Sequence, residues 1–140
     1  MKKYDVKCPY CGAPARLKPA NFLYGKRPEY TGKHYYVCTN YPVCDAYVAA
    51  HHADKRPMGF LANGKLRQKR KIAHIELNKF QHTSGMTKWA VYVWLAAKMG
   101  LNEEQTHIGK FTENQCDQAI QLCRQGTKDA RKHNMRLGVG

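Results

Sequence analysis

The apolar positions of this chain change their period near residue 60. Before it they form short aromatic and β-branched runs, Tyr35-Tyr36-Val37 and Tyr47-Val48-Ala49, which predict brief strands. Gly25, Pro28 and Gly32 mark loops ahead of them. Beyond residue 60 the spacing turns helical. Leu66, Ala73, Leu77 and Phe80 fall on one stripe of a helix predicted from about Lys65 to His82, with Asn63-Gly64 offering its cap. Lys65, Arg67, Lys69, Lys71 and Lys79 lie mostly off that stripe. Arg70 lies on it, so its stem is expected along the core with its head reaching out to solvent. Ile72 and Ile75 point elsewhere, as on a helix that touches two neighbours.

Ser84-Gly85 breaks this helix, and Thr87 caps a second one running to about Met99. Gly100 and Leu101 supply a helix stop with its trailing apolar contact. Asn102 to Gln105 reads as a capping box for a single turn. Thr112 to Gln115 repeats the device and opens a helix to about Arg124, ended near Gly126. Cys116, Ala119, Ile120 and Cys123 are spaced as a core face, reduced cysteine acting there as a small hydrophobe. Thr127 to Gly140 is basic and aperiodic, and is expected to stay disordered until it meets a partner. The fold class expected is α+β: a small four-cysteine zinc ribbon (1–60), a helical subdomain of about three helices (61–125) and a basic flexible tail (126–140).

The cysteines bring in the chemistry. Cys8 and Cys11 stand in Cys-Pro-Tyr-Cys-Gly, and after 26 residues Cys38 and Cys44 follow with five residues between them. Two residues between thiols let one tight turn aim both sulfurs at a single ion, Gly12 supplying the unusual backbone that such a turn needs. Two such pairs complete a closed tetrahedral site, structural in kind, for one Zn²⁺ held by Cys8, Cys11, Cys38 and Cys44. Buried or redox-active cysteine pairs are the alternative. A core as small as a ribbon's needs the metal for much of its folding free energy. A second metal site at His107 lacks a fourth ligand at sensible spacing.

Charge narrows the partners. The chain of 140 residues has 24 Lys and Arg against 10 Asp and Glu, a formal net charge of +14. The net is +6 over residues 1–60, +5 over 61–85, −1 over 86–123 and +4 over 124–140. Clustered positive charge suits a polyanion, because each phosphate contact releases condensed counterions. A merely solubilising surface is the alternative. Eight of the nine tyrosines precede residue 48, more than a ribbon can bury, and they are interleaved with Lys26, Arg27 and Lys33. Exposed rings that stack on bases beside cations that follow phosphates make a single-strand binding face. The residues expected to contact nucleic acid are Lys33, Tyr36, Tyr41, Lys65, Arg67, Lys69 and Lys71. Tyr35 and Tyr47 alternatively fill the ribbon core.

The Cys-Pro-Tyr-Cys-Gly opening, with Tyr-Val-Cys-Thr-Asn-Tyr-Pro-Val-Cys-Asp-Ala-Tyr after it, resembles the C-terminal zinc ribbons of type IA DNA topoisomerases. The spacer here is longer than theirs. The whole chain more closely resembles a family of small zinc-finger-containing proteins of bacteria and bacteriophages. That likeness rests on the ribbon, Pro57 to Asn63, Leu66-Arg67, Trp94-Leu95-Ala96 and His107 to Phe111. The topoisomerase likeness implies tyrosines stacking on single strands; the family likeness implies an architecture and no particular activity.

No HExxH, phosphate-binding glycine loop or nucleophile elbow occurs. His51, His52 and Asp54 resemble part of a catalytic metal set, but no paired acidic cluster completes it, and an exposed polar loop is the expectation. A helix-turn-helix would need the short acidic turn from Glu103 to enter a groove between phosphates, which its charge opposes. The expectation is a non-enzymatic, cytoplasmic nucleic-acid-binding zinc-ribbon protein of phage or mobile-element type, contacting DNA or RNA through single strands or backbone. The alternative is an interaction protein that binds a host or phage protein complex. Neither a membrane span of about 18 apolar residues nor a small-molecule site is discernible.

Overall fold

The structure is a computed structural model that describes residues 4–137. The chain divides into two compact units, 1–67 and 68–140. A three-stranded antiparallel sheet with its cysteine turns comes first and helices follow, so the α+β class stands.

In the first unit, β1 (Ala15–Pro19), β2 (His34–Cys38) and β3 (Tyr47–Ala49) pair in that order. Leu17 lies opposite Tyr36, and Tyr36 opposite Val48. Side chains alternate across a sheet. One face therefore gathers Tyr36 and Cys38 into a core with Cys8, Ala46, Ala50 and Leu61, edged by Val6, Leu17 and Val48. The opposite face carries Tyr35 and Tyr47. Between β1 and β2 the spacer folds into a four-residue helix, α1 (Asn21–Tyr24), and a 3₁₀ turn, Pro28–Tyr30. The hairpin ends hold this insertion closed, the Ala20 N–H donating to the Lys33 carbonyl at 2.9 Å.

The ribbon extends past the expected boundary at residue 60. Ala62 and Tyr47 exchange both backbone hydrogen bonds, at 3.0 and 3.1 Å, and Leu61 is buried in the ribbon core. Helix α2 (Gly64–Ser84) then begins within this unit. Its first turn has no acidic residue. Asn63 Oδ1 accepts from the Leu66 N–H at 2.9 Å, and Asp45 Oδ2 accepts from the Gly64 N–H at 3.1 Å. The negative charge favoured at a helix start thus comes from another part of the chain.

The second unit packs the rest of α2 with α3 (Lys88–Met99) and α4 (Glu113–Arg136). Ala73, Leu77, Phe80, Val91, Leu95, Cys116, Ala119, Ile120 and Cys123 are buried, as their spacing requires. Ile75 remains 45% exposed and Ile72 half-buried, short of the burial that packing against a second neighbour implies. Arg70 also departs from expectation: its guanidinium donates to the Phe111 carbonyl at 3.1 Å rather than extending into solvent. Thr87 Oγ1 caps α3 through the Ala90 N–H, and Gly100 and Leu101 donate back to Ala97 and Ala96. Asn102 and Gln105 form their reciprocal box at 3.0 and 2.8 Å, and the Thr106 N–H donates to the Glu103 carbonyl at 3.2 Å, closing the single turn expected there. The Thr106 hydroxyl donates to the Asn102 carbonyl and is buried there, and the chain turns toward a 3₁₀ turn at Ile108–Lys110.

The expected tail is the main correction. α4 does not end near Gly126 but runs 24 residues to Arg136. Gly126 is buried mid-helix against the Phe80 ring, and a Cβ there would meet Phe80 Cε1 at 2.8 Å. This glycine permits close packing and does not terminate the helix. Residues 138–140 of the expected tail lie outside the described residues. No helix among the described residues is long and apolar enough to cross a membrane.

Candidate functional site

Two turns carry the cysteines to one point. Cys8 ends the short segment before β1, and the Gly12 N–H bonds its carbonyl at 2.9 Å with Gly12 at φ +74°. Cys38 ends β2, and the turn that returns to β3 presents Cys44. The four sulfurs lie within 4.8 Å of one another, with Cys8 to Cys44 at 3.6 Å and Cys11 to Cys38 at 3.4 Å. Zn–S bonds of about 2.3 Å in a tetrahedron separate sulfurs by about 3.8 Å, so the cluster has the size of a four-thiolate zinc site. Asn40 directs its backbone N–H at Cys38 Sγ and its side-chain amide at Cys11 Sγ, both at 3.5 Å.

The thiols differ in acidity. A backbone hydrogen bond from Ala13, then contacts with Cys38 and Asn40, lower the Cys11 pKa to about 6. Burial pushes Cys38 up to about 12 and raises Cys44 as well. A bound Zn²⁺ holds its cysteine ligands as thiolates and offsets that burial cost. Cys8 and Cys38 are buried and no protein ligand is missing, so the site is structural: one zinc in a zinc-finger domain. Among the described residues this is the group whose ligand atoms converge on one point; His51, His52 and Asp54 are not gathered so, nor is His107 with Cys116 and Cys123. Asp54 instead accepts the Arg56 N–H at 3.0 Å, which lowers its pKa, and Arg56 Nη2 lies 3.4 Å from His51 Nε2.

The residues expected to contact nucleic acid separate into two groups. Tyr36 does not present its ring: it is 5% exposed in the ribbon core, and its hydroxyl donates to the Lys55 carbonyl at 2.5 Å. Its place on the central strand, facing the cysteines, buries it. Arg67 is held by its own unit. It donates to the carbonyls of Asp45 and Ala62 at 2.6 Å each, and its guanidinium lies 3.7 Å from the centre of the Tyr47 ring. Lys69 is paired with Asp117 at 2.8 Å and Glu113 at 3.4 Å, one helical turn apart on α4. Lys65 and Lys71 are exposed on α2.

Lys33 and Tyr41 fare differently. Lys33 is exposed, with Nζ 5.7 Å from the Tyr30 ring centre. Tyr41 is half-buried, its ring 5.6 Å from that of Phe22. Phe22 is 48% exposed and has Lys18 Nζ 5.3 Å from its ring centre. Sequence reasoning missed Phe22 in a spacer read as loop; the apolar run Phe22-Leu23-Tyr24 directly after Asn21 was the available signal. Tyr24, Tyr30, Tyr35 and Tyr47 pack on one another, Tyr24 stacked on Tyr30 at 4.8 Å and its hydroxyl 2.7 Å from that of Tyr47. Burial, and then the Tyr47 hydroxyl, hold Tyr24 well above the usual phenol range. Four of the surplus tyrosines therefore form a second small core on the outer face of the sheet.

No curated protein and no solved structure matches the chain. A model of zinc-finger-containing domains matches residues 4–126, which takes in the whole ribbon, α2, α3 and the first half of α4. With its four converging cysteines and that match over most of its length, the chain belongs to the zinc-finger-containing domain family DUF3268.

Proposed function

We propose that this zinc-binding chain is a nucleic-acid-binding protein of the phage or mobile-element type, which contacts single strands or the sugar-phosphate backbone through its ribbon. The observation that carries the reading is the exposed Phe22 ring, with the half-buried Tyr41 ring beside it and Lys18 against it. Exposed rings with a cation alongside stack on bases of any sequence while the cation meets phosphate. The net charge of +14 supports the same partner. Titration of labelled single-stranded DNA and RNA of mixed sequence, read by fluorescence anisotropy at several salt concentrations, tests it. Stacking contributes about 1–3 kcal/mol per base, so Phe22→Ala with Tyr41→Ala should weaken binding tenfold or more at unchanged zinc content. Equal affinity of the variant and the wild type would refute the reading.

A second reading, a module that binds a protein complex, is favoured by one observation. Trp89 and Val93, one turn apart on α3, are 68% and 44% exposed. Exposed aromatic residues on a helix are typical anchors of protein interfaces. Absence of binding to either nucleic acid, with Trp89→Ala abolishing capture of a partner, would favour this reading over the first.

A further inference from the structure

Two neighbouring clefts lie on the ribbon unit. The larger, about 580 Å³, opens within the insertion between β1 and β2 and is lined by Asn21, Lys26, Arg27, Tyr30, Lys33 and His34 among others. The smaller, about 220 Å³, is lined by His51, His52, Lys55 and Met58 among others. Gly32, Lys33 and His34 line both, so the two share a wall. No carboxylate among the described residues lines either cleft. Asp54, in the same loop as His52, is turned onto the Arg56 backbone.

We infer that the two clefts form one groove that follows the phosphates of a single nucleic-acid strand, with Lys26 and Arg27 at one end, Lys55 at the other and Lys33 between them. The inference rests on the nucleic-acid reading above and specifies its path. Four cations line the two clefts with three imidazoles and no carboxylate among the described residues. Lys55 also donates to the His52 carbonyl at 2.7 Å without losing its charge. Such a lining suits a polyanion better than a neutral or cationic ligand. The larger cleft has the volume of a small-molecule site, room for a nucleotide unit, and Tyr30 and Pro28 give it an apolar side for a sugar or base. A paired duplex cannot splay a nucleotide into such a cleft, whereas an unpaired strand can. Gly32 stands at the junction, lining both clefts, at φ +79°, a left-handed backbone that glycine adopts without strain.

The test uses the full zinc-loaded chain and a fluorescein-labelled single strand of mixed sequence, with log affinity plotted against log salt. Removing one cation that meets a phosphate of a single strand should flatten the slope by about 0.7. Lys26→Gln with Arg27→Gln should flatten it by about 1.4, and Lys55→Asn, a residue that tolerates the φ of +62° there, by about 0.7. Combined, the two changes should add. Lys69→Gln, which removes a cation already held by Asp117 and Glu113, should leave the slope alone. Zinc content and circular dichroism verify that each variant is folded. If the wild type binds but only one end affects the slope, or neither does, the continuous groove is overturned while the nucleic-acid reading survives. If the wild type binds no strand at all, both fall.

Discussion

Gly126 of α4 lies against the ring of Phe80 on α2, so closely that a Cβ on it would stand 2.8 Å from Phe80 Cε1 and 3.0 Å from Cδ1. Phe80 is itself buried and packs on Trp94 of α3, ring centres 4.4 Å apart. One missing side chain therefore lets three helices of the second unit meet.

This contact sets the first prediction. In an exposed helix interior, glycine to alanine gains up to about 1 kcal/mol from propensity. Here overpacking opposes that gain, and forcing extra carbon into a packed core costs about 1–3 kcal/mol. Gly126→Leu should lower the melting temperature, and Phe80→Leu in the same chain should recover part of the loss. A more stable Gly126→Leu would show that the ring moves aside freely.

Arg67 supplies the second. Its Nη1 meets two carbonyls while Nη2 faces the Asp45 carboxylate and the guanidinium plane lies over Tyr47; a lysine ammonium has neither the second nitrogen nor the flat face. Arg67→Lys should cost about 1–2 kcal/mol, the worth of a charged hydrogen bond with part of a cation–π contact. Its ion pair with Asp45 is long, at 3.5 Å, and half exposed, so Asp45→Asn should cost less than about 1 kcal/mol through that pair. Chemical denaturation of both variants ranks the two. The salt dependence of nucleic-acid binding should not respond to Arg67→Lys.

The third concerns the metal. Purified protein should contain one zinc per chain, and Cys38→Ser should lose it and unfold the ribbon before the helical unit. Chelation of the wild type should free four thiols to alkylation. Full stability of the first unit in excess chelator would contradict a folding role for the ion.

Alkaline pH gives the fourth. Burial raises both Cys116 and Cys123 from about 9 to about 11, so between those values the folded chain keeps protons that the unfolded chain releases. Stability must then fall as pH climbs from about 9 to about 11, and is fully present below that window. Urea midpoints of the second unit at about pH 8 and about pH 10.5 measure it. Replacing both cysteines by alanine should lower stability at the lower pH and flatten this decline.

The zinc ligands were legible because coordination fixes residue type and spacing together. The cores of α2, α3 and α4 were legible because their apolar stripes repeat at helical spacing over several turns. β1 was not: Ala-Arg-Leu-Lys-Pro has weak strand propensity, and only pairing with β2 extends it. The end of α4 was misread because glycine inside a helix looks like a stop until the opposing ring is seen. Among the residues expected to meet nucleic acid, Lys33 is left open to solvent and Tyr41 half open by local turn chemistry, which the sequence shows. Tyr36, Arg67 and Lys69 are not, because burial in the sheet core, the acceptors at Asp45 and Ala62, and the carboxylates on α4 are all tertiary.

Asp45 directly follows the zinc ligand Cys44, and its carboxylate accepts the first N–H of α2. An isolated helix must fix its first turn before propagation rewards it, with a nucleation constant of about 10⁻³. The first turn of α2 holds Lys65 and Arg67 and no acid, the wrong sign for its own dipole. The ribbon supplies the anion from outside and holds Arg67 at the same place. The folded zinc turn therefore supplies the anchor at the start of α2, and loss of the metal should fray that first turn before the rest of the helix.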